Sequence, residues 1–248
     1  MNKKPNLVII GGGIVGLTIA REAYRVKRFN EITIIEKESK FAMHSSSRNS
    51  GVIHAGFYYL SNTNKANFCA SANKMLRDYC TEHNLPVNKC GKVVVTKNYE
   101  EEKVLQELES RGNKYGCDIK ILPKKELLNY EPRAKTHENF LWSPNTWSAS
   151  PIDVVDNILK ELKEANIKLL CNRKVIRHSK NNLLLSSGET INYDFLVNAA
   201  GAYALNVAEL FGIKTHFRLL PFKGLYLSTS SKKYRMNSHV YPVPDIEQ

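Results

Sequence analysis

The pattern of apolar and polar positions near the N-terminus predicts a strand, a turn, a helix and a second strand. Residues 7–10 form an apolar run of the kind found in strands buried on both faces of a parallel sheet. Residues 11–16 read GGGIVG and fit the pattern G-x-G-x-x-G. A predicted helix over 17–23 and a strand over 31–36 follow, so the order is that of a βαβ nucleotide-binding unit.

Three glycines and one acid in this unit suit a dinucleotide. Gly11 permits a tight turn, Gly13 lets the backbone approach a pyrophosphate, and Gly16 lets the helix pack closely on the strand. Helix N-terminal N–H groups favour phosphate, and Glu36 stands about 20 residues on, where a carboxylate can accept hydrogen bonds from ribose. The acid argues against NADP, but this unit alone does not separate FAD from NAD.

Downstream, predicted helices and strands alternate without an internal repeat or a low-complexity linker. Helices are predicted over 65–83, 100–115 and 126–132 and from 150 onward; strands over 92–96, 117–122, 139–142, 167–170, 174–177 and 195–202; and a hairpin over 183–186 and 190–192. We expect strand 195–202 to be buried. Residues 219–228 alternate imperfectly and could form a strand on the floor of a substrate chamber. An apolar stripe on helix 65–83 is expected to pack in the core, and it comprises Ala66, Phe68, Cys69, Ala72, Met75, Leu76 and Tyr79.

Composition indicates an ordinary globular protein. The chain has 248 residues, of which 42% are hydrophobic and 24% charged, and no apolar run reaches the roughly 18 residues of a membrane span. Its five cysteines are scattered without a C-x-x-C pair, which argues against a disulfide framework and a zinc site, so we expect no metal. The short basic N-terminus does not resemble a signal peptide. We therefore expect a cytoplasmic protein, with peripheral contact to the inner membrane left open.

A net charge of +12 raises the question of a polyanionic partner. The basic residues are spread along the chain and no nucleic-acid motif accompanies them, so we expect no nucleic acid. A basic surface could favour anionic substrates or an anionic membrane face, or could simply be a solvated surface.

The segment after Glu36 distinguishes FAD from NAD. Residues 45–59, SSSRNSGVIHAGFYY, are small and hydroxylated and can bring donors close to a phosphate or a flavin ring. This loop resembles that of the D-amino-acid-oxidase-like FAD superfamily, specifically its L-2-hydroxyglutarate oxidase/dehydrogenase branch. The segments KANFC (65–69), LPFKGLYL (220–227) and HVYPVPD (239–245) resemble the same branch, so the resemblance covers essentially the whole chain. Glycerol-3-phosphate oxidases share the loop and its histidine, so the loop supports the superfamily better than the substrate.

The resemblance implies an α/β fold: an FAD-binding Rossmann-like parallel sheet of the glutathione-reductase type with an inserted mixed-sheet substrate domain. We expect an FAD-binding domain of residues 1–90 and 148–215, and a substrate domain of residues 91–147 and 216–248. Since the family continues well beyond Asp245, we expect a C-terminally truncated chain whose substrate domain is incomplete and whose activity is open.

The resemblance implies FAD as the cofactor. Ser46, Ser47, Asn49 and Ser50 are expected to line its pyrophosphate and flavin edge, while the second motif near residues 199–201 passes its adenine and ribose side. The full set of expected cofactor contacts is Gly11, Gly13, Ile14, Val15, Gly16, Glu36, Lys37, Ser46, Ser47, Asn49, Ser50, Gly51, Val175, Ala199, Ala200 and Gly201.

The resemblance places His54 beside the flavin ring as the catalytic base. A neutral imidazole can take the hydroxyl proton while hydride leaves carbon, although a structural histidine that anchors the loop is the alternative. Tyr58, Lys223 and Tyr241 are the expected substrate contacts. A dicarboxylate needs a cation, which Lys223 or Arg218 could supply; the competing interpretation is an exposed surface cation.

The function so predicted is oxidation of a 2-hydroxy acid, L-2-hydroxyglutarate to 2-oxoglutarate, by hydride transfer to flavin N5, with oxygen or a quinone as electron acceptor. Two alternatives stay open at this point. The same scaffold could oxidise glycerol 3-phosphate or an amino acid, or the chain could be a non-catalytic nucleotide-binding remnant.

Overall fold

The structure is a computed structural model that describes residues 4–244. Its helices are α1 (Ile14–Arg25), α2 (Asn64–Glu82), α3 (Tyr99–Lys114), α4 (Leu127–Tyr130), α5 (Pro151–Glu164) and α6 (Ala204–Leu210). Its strands are β1 (Asn6–Ile10), β2 (Glu31–Ile35), β3 (Val52–Ile53), β4 (Val87–Asn88), β5 (Lys92–Val95), β6 (Lys120–Pro123), β7 (Asn139–Ser143), β8 (Trp147–Ala149), β9 (Lys168–Leu170), β10 (Val175–Ser179), β11 (Asn182–Leu185), β12 (Thr190–Asn192), β13 (Phe195–Asn198) and β14 (His239–Pro242).

The chain forms two compact units. The first unit combines the described residues up to Asn49 with Pro151–Leu225, and the second combines Ser50–Ser150 with the described residues from Tyr226 onward. Residues 50–90, which were expected in the FAD-binding domain, pack in the second unit. The reason is that β3 and β4 both pair with β8, which lies in that unit.

The first unit is built on a four-stranded parallel sheet in the order β13-β1-β2-β9. Helix α1 packs against β1 and against α5, and Arg21 on α1 forms an ion pair with Glu161 on α5. A small antiparallel sheet, β10-β11-β12, carries the predicted hairpin. Its apolar side chains join those of β1 and β2 in one core.

The second unit contains a mixed sheet, β14-β5-β7-β6, in which β14 and β5 are parallel and the other pairs antiparallel. Strand β5 is buried on both faces: Val94 packs with Phe57 and Leu108, and Val93 packs with Phe140. The predicted α/β fold, with a parallel sheet and a separate mixed sheet, is confirmed.

Local sequence explains where α2 and α3, the two long helices of the second unit, begin. Thr63 caps α2, its hydroxyl accepting the N–H of Ala66 at 3.2 Å, and Asn98 caps α3 through the N–H of Glu101 at 3.0 Å. The first turn of α3 is acidic and its last turn basic, as its dipole favours. None of the helices in the described part of the chain is long and apolar enough to cross a bilayer.

Three predictions about burial or secondary structure are wrong. The buried face of α2 is Ala66, Asn73 and Cys80, one residue every two turns, whereas Phe68 and Met75 are each 71% exposed. Phe195 is 57% exposed because β13 is an edge strand of the sheet. Residues 219–228 form no strand, because their backbone pairs with no other strand among residues 4–244.

Candidate functional site

The glycine turn (residues 11–16) joins β1 to α1 and is closed from two sides. Gly11 has φ +112°, and its N–H donates to the carbonyl oxygen of Ile35 at 2.8 Å. A Cβ on Gly11 would lie 2.3 Å from the carbonyl oxygen of Ala199. Only glycine satisfies both the conformation and the space.

The same turn leaves the start of α1 open to a ligand. Gly13 is the N-cap residue and has no side chain to cap the helix. A Cβ on Gly16 would lie 2.0 Å from the carbonyl oxygen of Gly11, so the helix sits directly on the turn. Val15 in the first helical turn is 57% exposed, so this end of the helix reaches the surface. The first N–H groups of a helix have no partner within the helix, which suits an anion.

Ser46 reaches the start of α1 from a different part of the chain. Its hydroxyl oxygen accepts the N–H of Ile14 at 2.9 Å. The loop that carries it is held on the glycine turn, since the N–H of Ala42 donates to the carbonyl oxygen of Gly12 at 2.9 Å and the hydroxyl of Ser47 donates to Ala42 at 2.6 Å. The side-chain amide of Asn49 donates to the carbonyl oxygen of Ser45 at 3.1 Å, which closes the loop.

Glu36 lies at the end of β2 and is 8% exposed. Its two carboxylate oxygens accept the N–H groups of Gly12 and Glu38, each at 2.9 Å. Each oxygen retains a second lone pair for a ligand hydroxyl. The next residue, Lys37, forms an ion pair with Glu38 that raises the pKa of Lys37, and its ammonium lies 4.2 Å from the ring centroid of Tyr203.

The end of β13 forms the other side of the turn. The N–H of Ala199 donates to the carbonyl oxygen of Ile10 at 2.8 Å, the N–H of Ala200 to the side chain of Asn198 at 3.2 Å, and Gly201 has φ +55°. Val175 is buried in the core beside these strands, so any contact it makes to a ligand is through its backbone.

These residues of the first unit fit the ADP part of a dinucleotide. The helix that follows the glycine turn starts without a side-chain cap on its N-cap residue, and a carboxylate follows the neighbouring strand. The structure thus brings together most of the predicted cofactor contacts. Two of them, Ser50 and Gly51, lie in the second unit.

In the second unit, the loop that carries His54 is anchored by backbone and side-chain contacts. Gly51 has φ +68° and its carbonyl oxygen accepts the N–H of Ala149 at 3.0 Å, while the hydroxyl of Ser50 accepts the N–H of Val52 at 3.4 Å. Asn73, buried on α2, donates its side-chain amide to the carbonyl oxygen of His54 at 3.2 Å.

A buried lysine lies beneath this loop. We call Phe57, Tyr58, Tyr241 and Lys92 the lysine cluster. Lys92 is 1% exposed, and its ammonium nitrogen lies 4.5, 3.9 and 5.0 Å from the ring centroids of Phe57, Tyr58 and Tyr241. Burial lowers the pKa of Lys92 to about 7. Among residues 4–244, no carboxylate lies within ion-pair distance of this ammonium.

His54 borders the lysine cluster, since its ring and that of Tyr241 are 6.3 Å apart and perpendicular. Burial, and after it the positive charges of Lys92 and His239, lower the pKa of His54 to about 4. Burial raises the pKa of both Tyr58 and Tyr241, so their hydroxyls stay protonated. The Tyr58 hydroxyl has no hydrogen-bond partner within the described part of the chain.

The predicted substrate contacts belong to both units. Tyr58 and Tyr241 share the lysine cluster in the second unit, whereas Lys223 lies in the exposed segment of residues 219–228 and Arg218 directly before it. Sequence reasoning missed Lys92 and Asn73. A signal was present for Lys92, because the run Lys-Val-Val-Val has no polar face to which a lysine could turn.

Residues 6–248 match the profile of the DAO family, described as FAD dependent oxidoreductase. The chain is 31% identical to the mitochondrial L-2-hydroxyglutarate dehydrogenase of Bos taurus and 33% identical to that of Caenorhabditis elegans, over 97% and 98% of its length. It spans only 55% and 58% of the length of these two relatives.

Among solved structures, the chain resembles the dithionite-reduced L-α-glycerophosphate oxidase of Mycoplasma pneumoniae with FAD bound. The TM-score is 0.76 and the identity 24%, over 98% of this chain and 66% of that one. At that identity, the likeness demonstrates a shared fold.

Proposed function

Because the chain belongs to the DAO family of FAD-dependent oxidoreductases, we propose that it oxidises L-2-hydroxyglutarate to 2-oxoglutarate. The observation that supports the substrate is the similarity to L-2-hydroxyglutarate dehydrogenases along nearly the whole chain. The expected FAD-binding domain of residues 1–90 and 148–215 and the substrate domain of residues 91–147 and 216–248 remain part of this proposal.

The glycine turn, Ser46 and Glu36 would hold the ADP part of FAD. The N–H groups at the start of α1 would face the pyrophosphate, and the carboxylate of Glu36 would accept hydrogen bonds from the ribose. Lys37, Ser47, Asn49, Ser50, Gly51 and the backbone from Ala199 to Gly201 would complete the site. FAD, when bound, supplies the acceptor for the hydride of the substrate.

His54 would accept the proton of the substrate hydroxyl. With a pKa lowered to about 4, its imidazole is neutral at physiological pH and able to take a proton. A free base of such low pKa is a weak acceptor, but a dicarboxylate bound nearby would raise the pKa of His54 by its negative charge. Tyr58, Tyr241 and Lys223 are the proposed contacts to that substrate.

The experiment is an anaerobic absorbance titration of the purified chain. A flavin spectrum that L-2-hydroxyglutarate bleaches, and that D-2-hydroxyglutarate leaves unchanged, supports the proposal. A flavin spectrum that L-2-hydroxyglutarate does not bleach contradicts the substrate. A colourless protein that binds no added FAD supports the nucleotide-binding remnant instead.

Glycerol 3-phosphate is a second candidate substrate, because its oxidases share the histidine-containing loop and the fold of the Mycoplasma pneumoniae oxidase is shared by this chain. Bleaching by glycerol 3-phosphate but not by L-2-hydroxyglutarate would select it, and a panel of amino acids covers the remaining alternative. Reoxidation by oxygen, with peroxide formed, or by a water-soluble quinone identifies the electron acceptor. Binding of the protein to anionic vesicles tests the proposed peripheral membrane contact.

A further inference from the structure

Lys92 is a buried cation without an anion. It begins β5 and is 1% exposed, and no carboxylate among residues 4–244 forms an ion pair with its ammonium. A buried ammonium is costly unless an anion compensates it. The three aromatic faces of the lysine cluster offset part of that cost through cation–π attraction, and the nearest is Tyr58 at 3.9 Å. The remaining charge suits an anionic ligand.

Two further polar groups beside Lys92 lack a hydrogen-bond partner. The hydroxyl of Tyr58 and the Nε2 atom of His239 are both buried, and neither is hydrogen-bonded within the described part of the chain. His239 on β14 is the direct neighbour of Lys92 on β5, so the two side chains leave the sheet on the same face. Buried polar groups are nearly always paired, so unpaired ones point to a missing partner. An ammonium and a phenol hydroxyl are both donors, which is what an anion requires.

The lysine cluster also contains the two tyrosines predicted as substrate contacts. Tyr58 and Tyr241 are half-buried, and the ammonium of Lys92 lies 3.9 and 5.0 Å from their ring centroids. The ring of Tyr241 is in turn 6.3 Å from that of His54, the proposed base. Lys92 is therefore the cation that packs with the predicted substrate contacts of the second unit, whereas Lys223 is exposed.

We propose that Lys92, together with the hydroxyl of Tyr58, binds an anionic group of the substrate, which for a 2-hydroxy acid is a carboxylate. This inference deepens the proposed function and rests on it for the class of substrate. A dicarboxylate has a second carboxylate, for which Lys223 remains the proposed contact. We expect the half-buried ring of Tyr58 or Tyr241 to rotate when the anion enters, since partly exposed side chains change rotamer rapidly.

The test is isothermal titration calorimetry of the purified chain, in the presence of excess FAD, with glutarate, a dicarboxylate that has no hydroxyl to oxidise. The unsubstituted chain is expected to bind glutarate but not glutaramide, its uncharged diamide. Lys92→Met is expected to weaken glutarate binding about 10- to 100-fold and Tyr58→Phe about fivefold, because each removes a hydrogen bond to a charged group. Lys89→Met is the matched control and should bind normally, because Lys89 is an exposed lysine of the same unit.

Thermal unfolding of the ligand-free variants separates a binding role from a structural one. Lys92→Met removes an uncompensated buried charge and Tyr58→Phe removes an unpaired hydroxyl, so the Tm of each is expected to equal or exceed that of the unsubstituted chain. A fall in Tm in both variants without a loss of glutarate affinity identifies a structural role and overturns the proposal. Equal binding of glutarate and glutaramide by the unsubstituted chain also overturns it.

The same titration with glycerol 3-phosphate distinguishes this inference from the proposed substrate. If the unsubstituted chain binds glycerol 3-phosphate alone and Lys92→Met weakens that binding, Lys92 is the anion contact and L-2-hydroxyglutarate is not the substrate. If the chain binds neither anion, the inference fails, while the proposed function is judged separately by the bleaching of the flavin.

Discussion

Gly16 lies directly against the carbonyl oxygen of Gly11, so close that a Cβ on Gly16 would be 2.0 Å from that oxygen. The oxygen belongs to the backbone of the turn and the added Cβ would be fixed to the backbone of α1, so neither can move without displacing α1 from β1. The contact explains why the last position of the turn needs a glycine.

We expect Gly16→Ala to destabilise the protein by about 1–3 kcal/mol and to reduce its FAD content, because the helix must shift away from the turn. The measurements are denaturant unfolding and visible flavin absorbance of the purified protein. Thr18→Ala, an exposed substitution on the same helix that adds no atom, is the control and should change neither. Normal stability and flavin content in Gly16→Ala would contradict the geometry of the turn.

We expect Ser46→Ala to weaken FAD binding about fivefold and to cost about 1 kcal/mol of stability. The physical reason is that Ser46 accepts the N–H of Ile14 at 2.9 Å and holds its loop at the start of α1. Binding is measured by quenching of FAD fluorescence. Ser45→Ala changes an exposed neighbour and serves as the control; equal affinities for the two variants would exclude the role of Ser46.

We expect His54→Asn to retain FAD but to lower the rate of flavin reduction by about 100- to 10,000-fold. His83→Gln, an exposed histidine at the end of α2, should reduce flavin at the normal rate. For the unsubstituted protein, kcat/KM should fall as pH drops through about 4, because protonated His54 cannot accept a proton. A normal rate in His54→Asn would assign His54 to loop anchoring instead.

Glu102 should stabilise the second unit in a pH-dependent way. Burial disfavours its charge, but hydrogen bonds from Thr96, Asn139 and Glu138 outweigh burial and lower its pKa to about 2, from an ordinary 4.5. Because the pKa is lower in the folded protein, the stabilisation is complete above pH 4.5 and disappears as pH falls through 2.

We therefore expect Glu102→Gln to cost up to about 3 kcal/mol near pH 7. Denaturant unfolding from pH 7 down to pH 3 should show the difference from the unsubstituted protein shrinking with acid. Glu100→Gln is the control, because the Glu100 side chain is 77% exposed. A difference that does not change with pH would show that shape, and not charge, is responsible.

The nucleotide unit could be predicted from sequence because its requirements are local. The glycine turn, the helix and the acid at position 36 lie within one βαβ segment, and the prediction of that segment and of the family is confirmed. The pairing of β1 with β13 could not be predicted, because β13 reaches it from the far end of the unit. The contact between Ser46 and Ile14 was missed for the same reason: it joins two segments across the chain.

The spacing of apolar residues gave wrong predictions where the surface that packs against the element was unknown. On α2, the apolar side chains Phe68 and Met75 face outward, while a polar residue, Asn73, is buried because three carbonyl oxygens converge on its amide. Alternation over residues 219–228 likewise indicated a strand, but a strand needs a neighbour to pair with.

The two-sided closure of Gly11 has a consequence for biosynthesis. Gly11 donates its N–H to Ile35, which lies in the same βαβ segment. Its other neighbour, Ala199, is synthesised only after the whole of Ser50–Ser150. Closing so long a loop is entropically costly, and distant strand pairing slows folding. During synthesis the first unit therefore stays incomplete while residues Ser50–Ser150 are translated. Until β13 has been made, one edge of β1 is unpaired. During that interval the unpaired edge of β1 is available to pair with other chains.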